Sequence, residues 1–329
     1  MGTYFPACDS FGRRFSYLRL SVTDVCNFRC SYCLPGGYQK QSSHDFLSAD
    51  EISHLVAALA QLGLWKVRLT GGEPTVRKDL PELIRRIAAT PGVRHVALTT
   101  NGYRLRHDLA AYRAAGLSSV NVSVDSLDPK RFQRVTGHDC LSTVLEGVTA
   151  ALASGMEAVK LNAVLLRETA VQELPDFLSY VQHRPLVFRF IELMQTADNK
   201  DYFAHQHIPA ATMIAQLAGA GWRPVTRLEG AGPAVTYSHP DYAGRIGFIT
   251  PYAKDFCQGC NRLRVSARGS LQLCLFGQGG HDLRPLLQSP AQCGYLKDAI
   301  IAALRYKPAG HALRDGNVGD RHPLASIGG

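Results

Sequence analysis

Two sets of three cysteines carry the chemistry this sequence is equipped to do. The first lies in Asp24-Val25-Cys26-Asn27-Phe28-Arg29-Cys30-Ser31-Tyr32-Cys33-Leu34, at C-x3-C-x2-C spacing directly after a strand-like apolar run. Thiolates this close suit a metal, and three is one short of a closed four-ligand zinc site. An iron–sulfur cluster on three cysteines keeps one iron open to a small molecule. Zinc would want a fourth ligand, and none stands nearby at zinc-finger spacing. Three reduced, buried thiols are the metal-free alternative.

The second set is Cys257 and Cys260 in a C-x2-C turn, with Cys274 thirteen residues further on. Between them, Arg262-Leu263-Arg264-Val265-Ser266 and Leu271-Gln272-Leu273 read as a hairpin with Gly269 at its turn. That hairpin returns Cys274 to Cys257 and Cys260, and again only three cysteines converge. A zinc ribbon lacking one ligand is the alternative for this set alone.

A third signal is charge placed where a buried parallel strand should be apolar. Arg19, Arg68, Lys160, Arg189, Arg262 and Arg264 all fall in strand-like runs. Each alone reads as a strand-end ion pair. Together they should converge on an anion, because an unpaired buried cation is costly. A triphosphate matches their number and the fork geometry of arginine. No Walker A motif is present, so this is not a phosphate-cleaving P-loop enzyme.

The elements that must position these groups follow a regular rhythm. Residues 16–23 alternate and read as a strand. Ser48-Ala49-Asp50-Glu51 is a capping box for a helix carrying Ile52, Leu55, Leu59 and Leu62, which Gly63 ends. Strand 65–70 closes in Gly71-Gly72-Glu73-Pro74, and a helix follows over about 80–89. Strands 94–100, 119–125, 158–166 and 186–192 alternate with helices, one of them capped by Ser142 and one around 172–182. This predicts an α/β fold, a parallel sheet with helices outside, with its chemistry at the strand C-terminal ends. The cysteine loop, Gly71-Gly72-Glu73-Pro74, Thr100-Asn101, Asp125-Ser126 and Met194 should share that rim. After about residue 200 the rhythm changes: His205, His207, a Gly/Pro-rich stretch and short strands near 234–238 and 245–250 precede the second cysteine set, and a helix near 292–305 follows it. The expected division is 8–225 for the βα part and 226–329 for a C-terminal α+β region.

Composition narrows the class. The chain has 329 residues, 46% hydrophobic and 19% charged, with nine cysteines and a net charge of +9. No run approaches the length of a membrane span. The N-terminus lacks the layout of a signal peptide, so a reducing cytoplasmic location is expected and a disulfide framework is not. A zinc-stabilised basic nucleic-acid module would explain the charge. It lacks interleaved surface aromatics and a recognised binding motif, and it leaves Gly71-Gly72-Glu73-Pro74 without a role.

Cys26-Asn27-Phe28-Arg29-Cys30-Ser31-Tyr32-Cys33 resembles the signature of radical S-adenosylmethionine (SAM) enzymes, and Gly71-Gly72-Glu73-Pro74 resembles their motif for the SAM amino group. With the second cysteine set, Arg262-Leu263-Arg264 and the terminal Gly328-Gly329, the whole chain resembles the MoaA family, the GTP 3′,8-cyclases of molybdenum-cofactor biosynthesis. Another radical SAM branch, acting on peptide or RNA, is the neighbouring alternative. The resemblance implies an incomplete (βα)6 barrel over 8–225, closed by the C-terminal α+β region, and two [4Fe–4S] clusters, one on Cys26, Cys30 and Cys33 and one on Cys257, Cys260 and Cys274. It implies SAM contacts at Tyr32, Gly72, Ser123 and Met194. GTP contacts are implied at Arg19, Arg68, Thr99, Lys160, Arg262, Leu263 and Arg264, with Arg262 and Arg264 positioning GTP and no acid–base residue. It further implies a cytosolic electron donor, the enzyme MoaC acting on the product, homodimer formation as an option, and a Gly-Gly tail reaching the active site. Cys8, Cys140 and Cys293 match no motif.

Overall fold

The computed structural model describes residues 7–39, 46–169, 172–226, 230–277 and 279–319. The terminal Gly328-Gly329 lies outside them. The first half of the chain builds β1 (Tyr17–Ser21), α1 (Ala49–Gln61), β2 (Lys66–Thr70), α2 (Leu80–Ala88), β3 (His95–Thr100), α3 (Leu105–Ala114), β4 (Ser119–Ser123), α4 (Pro129–Thr136), α5 (Leu141–Ala153) and β5 (Ala158–Leu165). There follow α6 (Leu174–Gln182), β6 (Val187–Glu192), α7 (Lys200–Gln206), α8 (Ala211–Gly219), β7 (Arg223–Pro224), β8 (Val235–Ser238) and β9 (Arg245–Ile249). The chain then forms β10 (Arg262–Val265), β11 (Ser270–Gln272), β12 (His281–Asp282) and α9 (Cys293–Leu304).

One twelve-stranded sheet runs β12-β11-β10-β1-β2-β3-β4-β5-β6-β9-β8-β7. Every neighbouring pair from β10 through β1–β6 to β9 is parallel. The βα rhythm of the sequence therefore appears in chain order as β1 to β6. The C-terminal region adds one parallel strand to each edge: Leu263 pairs with Leu18, and Ile246 with Phe188. At about 4.8 Å per step, this run would measure roughly 34 Å across if flat. A single cavity nonetheless touches strands from β10 to β9, so the sheet curls around it as an open partial barrel.

Side-chain alternation explains the misplaced charges. On β5 the burial alternates along Ala158–Leu165, with Val159, Leu161, Ala163 and Leu165 buried and Lys160, Asn162 and Val164 partly open. The first group packs under the helices, while Lys160 and Asn162 line the cavity. The same period of two puts Leu18, Leu20, Val67, Leu69, Val120, Val122, Phe188 and Phe190 in the core, and Arg19, Arg68, Asn121 and Arg189 inside the barrel.

Local signals mostly hold. The Ser48 hydroxyl accepts from Glu51 N at 3.1 Å, and Glu51 Oε2 accepts from Ser48 N at 2.8 Å. Gly63 follows α1 at φ +92°, the left-handed closing position. Ser142 is not a cap. α5 starts at Leu141, so Cys140 occupies the N-cap, without a side-chain bond, and Ser142 falls inside the first turn. The hairpin forms as read, with Arg264 opposite Gln272 and Gly269 at φ +90°.

Candidate active site

Two loops after strands build the first half of the site. After β1, Thr23–Val25 lead into the first cysteines; after β2, Gly71-Gly72-Glu73 runs alongside them. Gly72 N donates to Thr23 O at 2.9 Å and Glu73 N to Val25 O at 2.8 Å. Gly71 has φ +149°, and a Cβ there would sit 2.2 Å from Thr23 O; at Gly72 a Cβ would sit 2.4 Å from Val25 O. Only glycine permits this approach. Glu73, 1% exposed, clamps the loop to β3. Its carboxylate accepts from Thr75 N and Oγ1, Thr100 Oγ1 and Asn101 N at 2.6–3.0 Å. Burial pushes its pKa up, and four donors favour the ionised form.

The cysteine loop is tied down from the other side. Arg29 N and Ser31 N donate to Thr136 O and Val135 O at the end of α4. The Tyr32 hydroxyl donates to buried Asp125 at 2.9 Å, and Asp125 also accepts from Val164 N at 2.9 Å. Burial raises the Asp125 pKa to about 6. These contacts surround a cavity of about 170 Å³ lined by Cys26, Cys30, Cys33, Tyr32, Gly71, Gly72, Glu73, Thr99, Thr100, Ser123, Asp125, Asn162, Ile191, Glu192 and Met194, among others. Sequence reasoning gave no role to Glu192. Burial lifts its pKa to about 7, and His207 Nε2 lies 3.1 Å away.

A second cavity of about 150 Å³ adjoins the first, sharing Thr99, Asn162, Ile191 and Met194 as a common wall. It is lined by Cys257, Cys260 and Cys274 and by Arg19, Lys66, Arg68, Lys160, Arg189, Arg262, Arg264 and Lys307. No Asp or Glu stands among its described lining residues. Burial, and then the neighbouring Arg189, Arg68 and Lys66, hold the Lys160 ammonium down to about 7. Burial, then Arg68, lowers Arg189 to about 9. Burial works to raise the Cys260 thiol, yet Arg262 and Lys307 outweigh it and bring it below the usual value.

The second cysteine loop is strapped from a distance. Asp9 holds Arg13 at 2.6 Å, and the Arg13 guanidinium donates to Cys257 O, Ala309 O and Pro308 O at 3.1, 2.7 and 2.6 Å. Lys307, 4% exposed, donates to Leu273 O beside Cys274. Neither Arg13 nor Lys307 announces itself locally in the sequence: Arg13 acts on carbonyls 244 to 296 residues away and Lys307 on one 34 residues away.

The structure thus places Cys26, Cys30, Cys33, Tyr32, Gly72, Ser123 and Met194 around the first cavity. It places Arg19, Arg68, Lys160, Arg262, Arg264, Cys257, Cys260 and Cys274 around the second, with Thr99 on the shared wall. Leu263 is not among the lining residues; its side chain is in the core, so only its backbone can reach a ligand. Both cavities suit a group bound through three thiols. Thiolates around a four-iron cluster stand farther apart than those around one ion. Among the described residues, no three His, Cys, Asp or Glu side chains are gathered to hold a single ion. Buried atoms without a hydrogen-bond partner gather on the cavity walls: Asn121 Oδ1, Asn162 Oδ1, Arg189 Nε and Nη2, and His311 Nε2. Such groups fit a polar ligand.

The fold and the paired cysteine cavities define a radical SAM protein. The Radical SAM superfamily model matches residues 20–181, and Molybdenum Cofactor Synthesis C matches residues 186–313. A GTP 3′,8-cyclase of Stenotrophomonas maltophilia is 53% identical over 98% of this chain and 98% of its own; one from Synechococcus elongatus is 49% identical with the same coverage. Among solved structures, Streptococcus suis SuiB bound to S-adenosylmethionine has a TM-score of 0.63 at 13% identity, covering 92% of this chain and 68% of that one, a likeness of fold. The chain belongs to the GTP 3′,8-cyclase family.

Proposed function

We propose that this protein converts GTP to (8S)-3′,8-cyclo-7,8-dihydroguanosine 5′-triphosphate, the first step of molybdenum-cofactor biosynthesis. The observation that carries this reading is one geometry: two three-cysteine cavities share a wall, and among the described residues only the second is lined with cations. Cys26, Cys30 and Cys33 would hold one [4Fe–4S] cluster, and Cys257, Cys260 and Cys274 the other. With SAM bound, the first cluster, once reduced, would supply the radical chemistry that removes the ribose 3′ hydrogen and lets C3′ join guanine C8.

The chain's own residues supply position and charge. Gly71 and Gly72 leave backbone room beside the first cysteine loop, and the Glu73 clamp fixes it. Tyr32, Gly72, Ser123 and Met194 would contact SAM. Arg19, Arg68, Lys160, Arg262 and Arg264 would neutralise the triphosphate, with Arg262 and Arg264 orienting GTP. Thr99, on the shared wall, and the Leu263 backbone complete the GTP set. Pre-set orientation across that wall is what such a transfer needs. The segment 8–225 would form the radical SAM core and share in both cavities, and the segment 226–329 would carry the second cluster and the Gly-Gly tail.

Among the described residues, no helix is long and apolar enough to cross a membrane. We place the enzyme in the cytoplasm, with a cytosolic electron donor, MoaC consuming the product, and a homodimer as an option. The test is anaerobic incubation with SAM, a reductant and either GTP or a peptide. Cyclised GTP is expected; a modified peptide with untouched GTP would reject the reading.

A further inference from the structure

Among its described lining residues, the cationic cavity contains one phenol. Tyr17, at the start of β1, is 4% exposed and stands opposite Lys66 on one side and Arg262 on the other. Its hydroxyl accepts a hydrogen bond from Arg68 Nε at 2.5 Å. The Lys66 ammonium lies 5.2 Å from its ring centroid, and Arg19 also hydrogen-bonds to it. Apart from the three cysteines, Tyr17 is the one group among the cavity's described lining residues able to carry negative charge.

We propose that Tyr17 is a positioning residue that serves as the resident counter-ion of the empty cavity: as a phenolate it holds the Arg68 and Arg19 guanidiniums in place, and it takes up a proton when a polyphosphate arrives. The inference rests on the reading of this cavity as a triphosphate site. Burial alone would push a phenol upward; Arg68, Arg19 and Lys66 outweigh burial and bring Tyr17 to about 7. The basic groups that face it are Arg19 on its own strand, Lys66 and Arg68 on β2, Lys160 on β5, Arg189 on β6, and Arg262 and Arg264 on β10, and the thiols of Cys257, Cys260 and Cys274 line the same cavity. A bound polyphosphate supplies the negative charge those cations need, so the phenolate loses its advantage and returns to phenol. The proton comes from solvent, and no other bond changes.

The test compares wild-type holoenzyme with Tyr17→Phe, using inorganic triphosphate and GTP as probes at pH 6 and pH 8. At pH 8, either probe should bleach a tyrosinate band in the ultraviolet difference spectrum of the wild type and leave the variant's spectrum unchanged there. Calorimetry in buffers of different ionisation enthalpy should count more proton uptake in the wild type. Only the protonated fraction accepts the anion readily, so about tenfold of the wild type's weakening between pH 6 and pH 8 should vanish in Tyr17→Phe. A variant equally weakened at both pH values would show a hydrogen bond and nothing more, and would overturn the proposal. If the variant does not fold, the wild-type band decides: bleaching supports it, and a phenol still protonated at pH 8 rejects it. Binding of both probes without change in the band removes this inference alone; no binding of either removes the nucleotide reading with it.

Discussion

Arg19 of β1 lies directly opposite Arg68 of β2, and both line the same cavity. Arg264 of β10 faces Arg19 from the other side. Like charges placed directly opposite destabilise a sheet, and burial adds a desolvation cost. Burial, then Arg68 and Arg262, outweighs the help of Tyr17 and holds Arg19 down to about 10. A polyphosphate should therefore stabilise the fold visibly. At a hundredfold excess over Kd the gain is about 2.7 kcal/mol, a rise in Tm of roughly 5 °C for a chain of this size. Arg262→Ala or Arg264→Ala should each weaken GTP binding by about 2 kcal/mol, some thirtyfold, and raised salt should weaken it further. Scanning calorimetry with GTP, and titration across salt, read both effects; a Tm indifferent to GTP would contradict them.

Lys160 gives a pH dependence of definite sign. Its folded pKa of about 7 lies below the usual lysine value. A bound anion favours the ammonium, so GTP binds tightest below pH 7 and weakens as pH rises through 7. Lys160→Met should cost about thirtyfold at pH 6 and little at pH 9, where the wild-type group is already neutral. Equal losses at both pH values would refute this.

Arg13 should matter for the second cluster although it touches no ligand. Its partner Asp9 has a fully buried side chain. Arg13→Ala would take from that carboxylate its cation, leaving it only the backbone N–H groups of Phe11 and residue 13, and release three carbonyls that hold the Cys257 loop to residues 308–309. Breaking such a pair costs about 3–5 kcal/mol. Iron in anaerobically purified protein is expected to fall from about eight per chain toward four, with SAM binding retained. Unchanged iron would show that the strap is dispensable.

Gly72→Ala should act on SAM and spare GTP. Its Cβ would meet Val25 O at 2.4 Å and Asp24 O at 2.6 Å, both backbone atoms, so the loop must separate from the cysteine loop. Equilibrium dialysis should show SAM binding lost and GTP binding within a few-fold of wild type. Retained SAM binding would mean that the loop can shift at little cost.

The parts of the site legible in the sequence are those written in short runs. The two cysteine sets, Gly71-Gly72-Glu73-Pro74, the βα order of β1 to β6, and the hairpin that returns Cys274 all follow from local spacing. The charges in strands were readable as a cavity because period two puts every second residue inside. The attachment of β9 and β10 to opposite edges was not readable, since pairing Leu18 with Leu263 leaves no local trace. Tyr17 stands inside the strand read at 16–23 and Lys307 just beyond the helix read near 292–305, and no motif marks either. Their roles come from neighbours on other strands and loops.

The most direct test follows the hydrogen. GTP carrying deuterium at C3′ is incubated anaerobically with the reduced enzyme and SAM, and the 5′-deoxyadenosine formed is weighed by mass spectrometry. The account predicts one deuterium transferred into 5′-deoxyadenosine, with cyclised GTP as the other product. Unlabelled 5′-deoxyadenosine, or label retained in GTP, would contradict it.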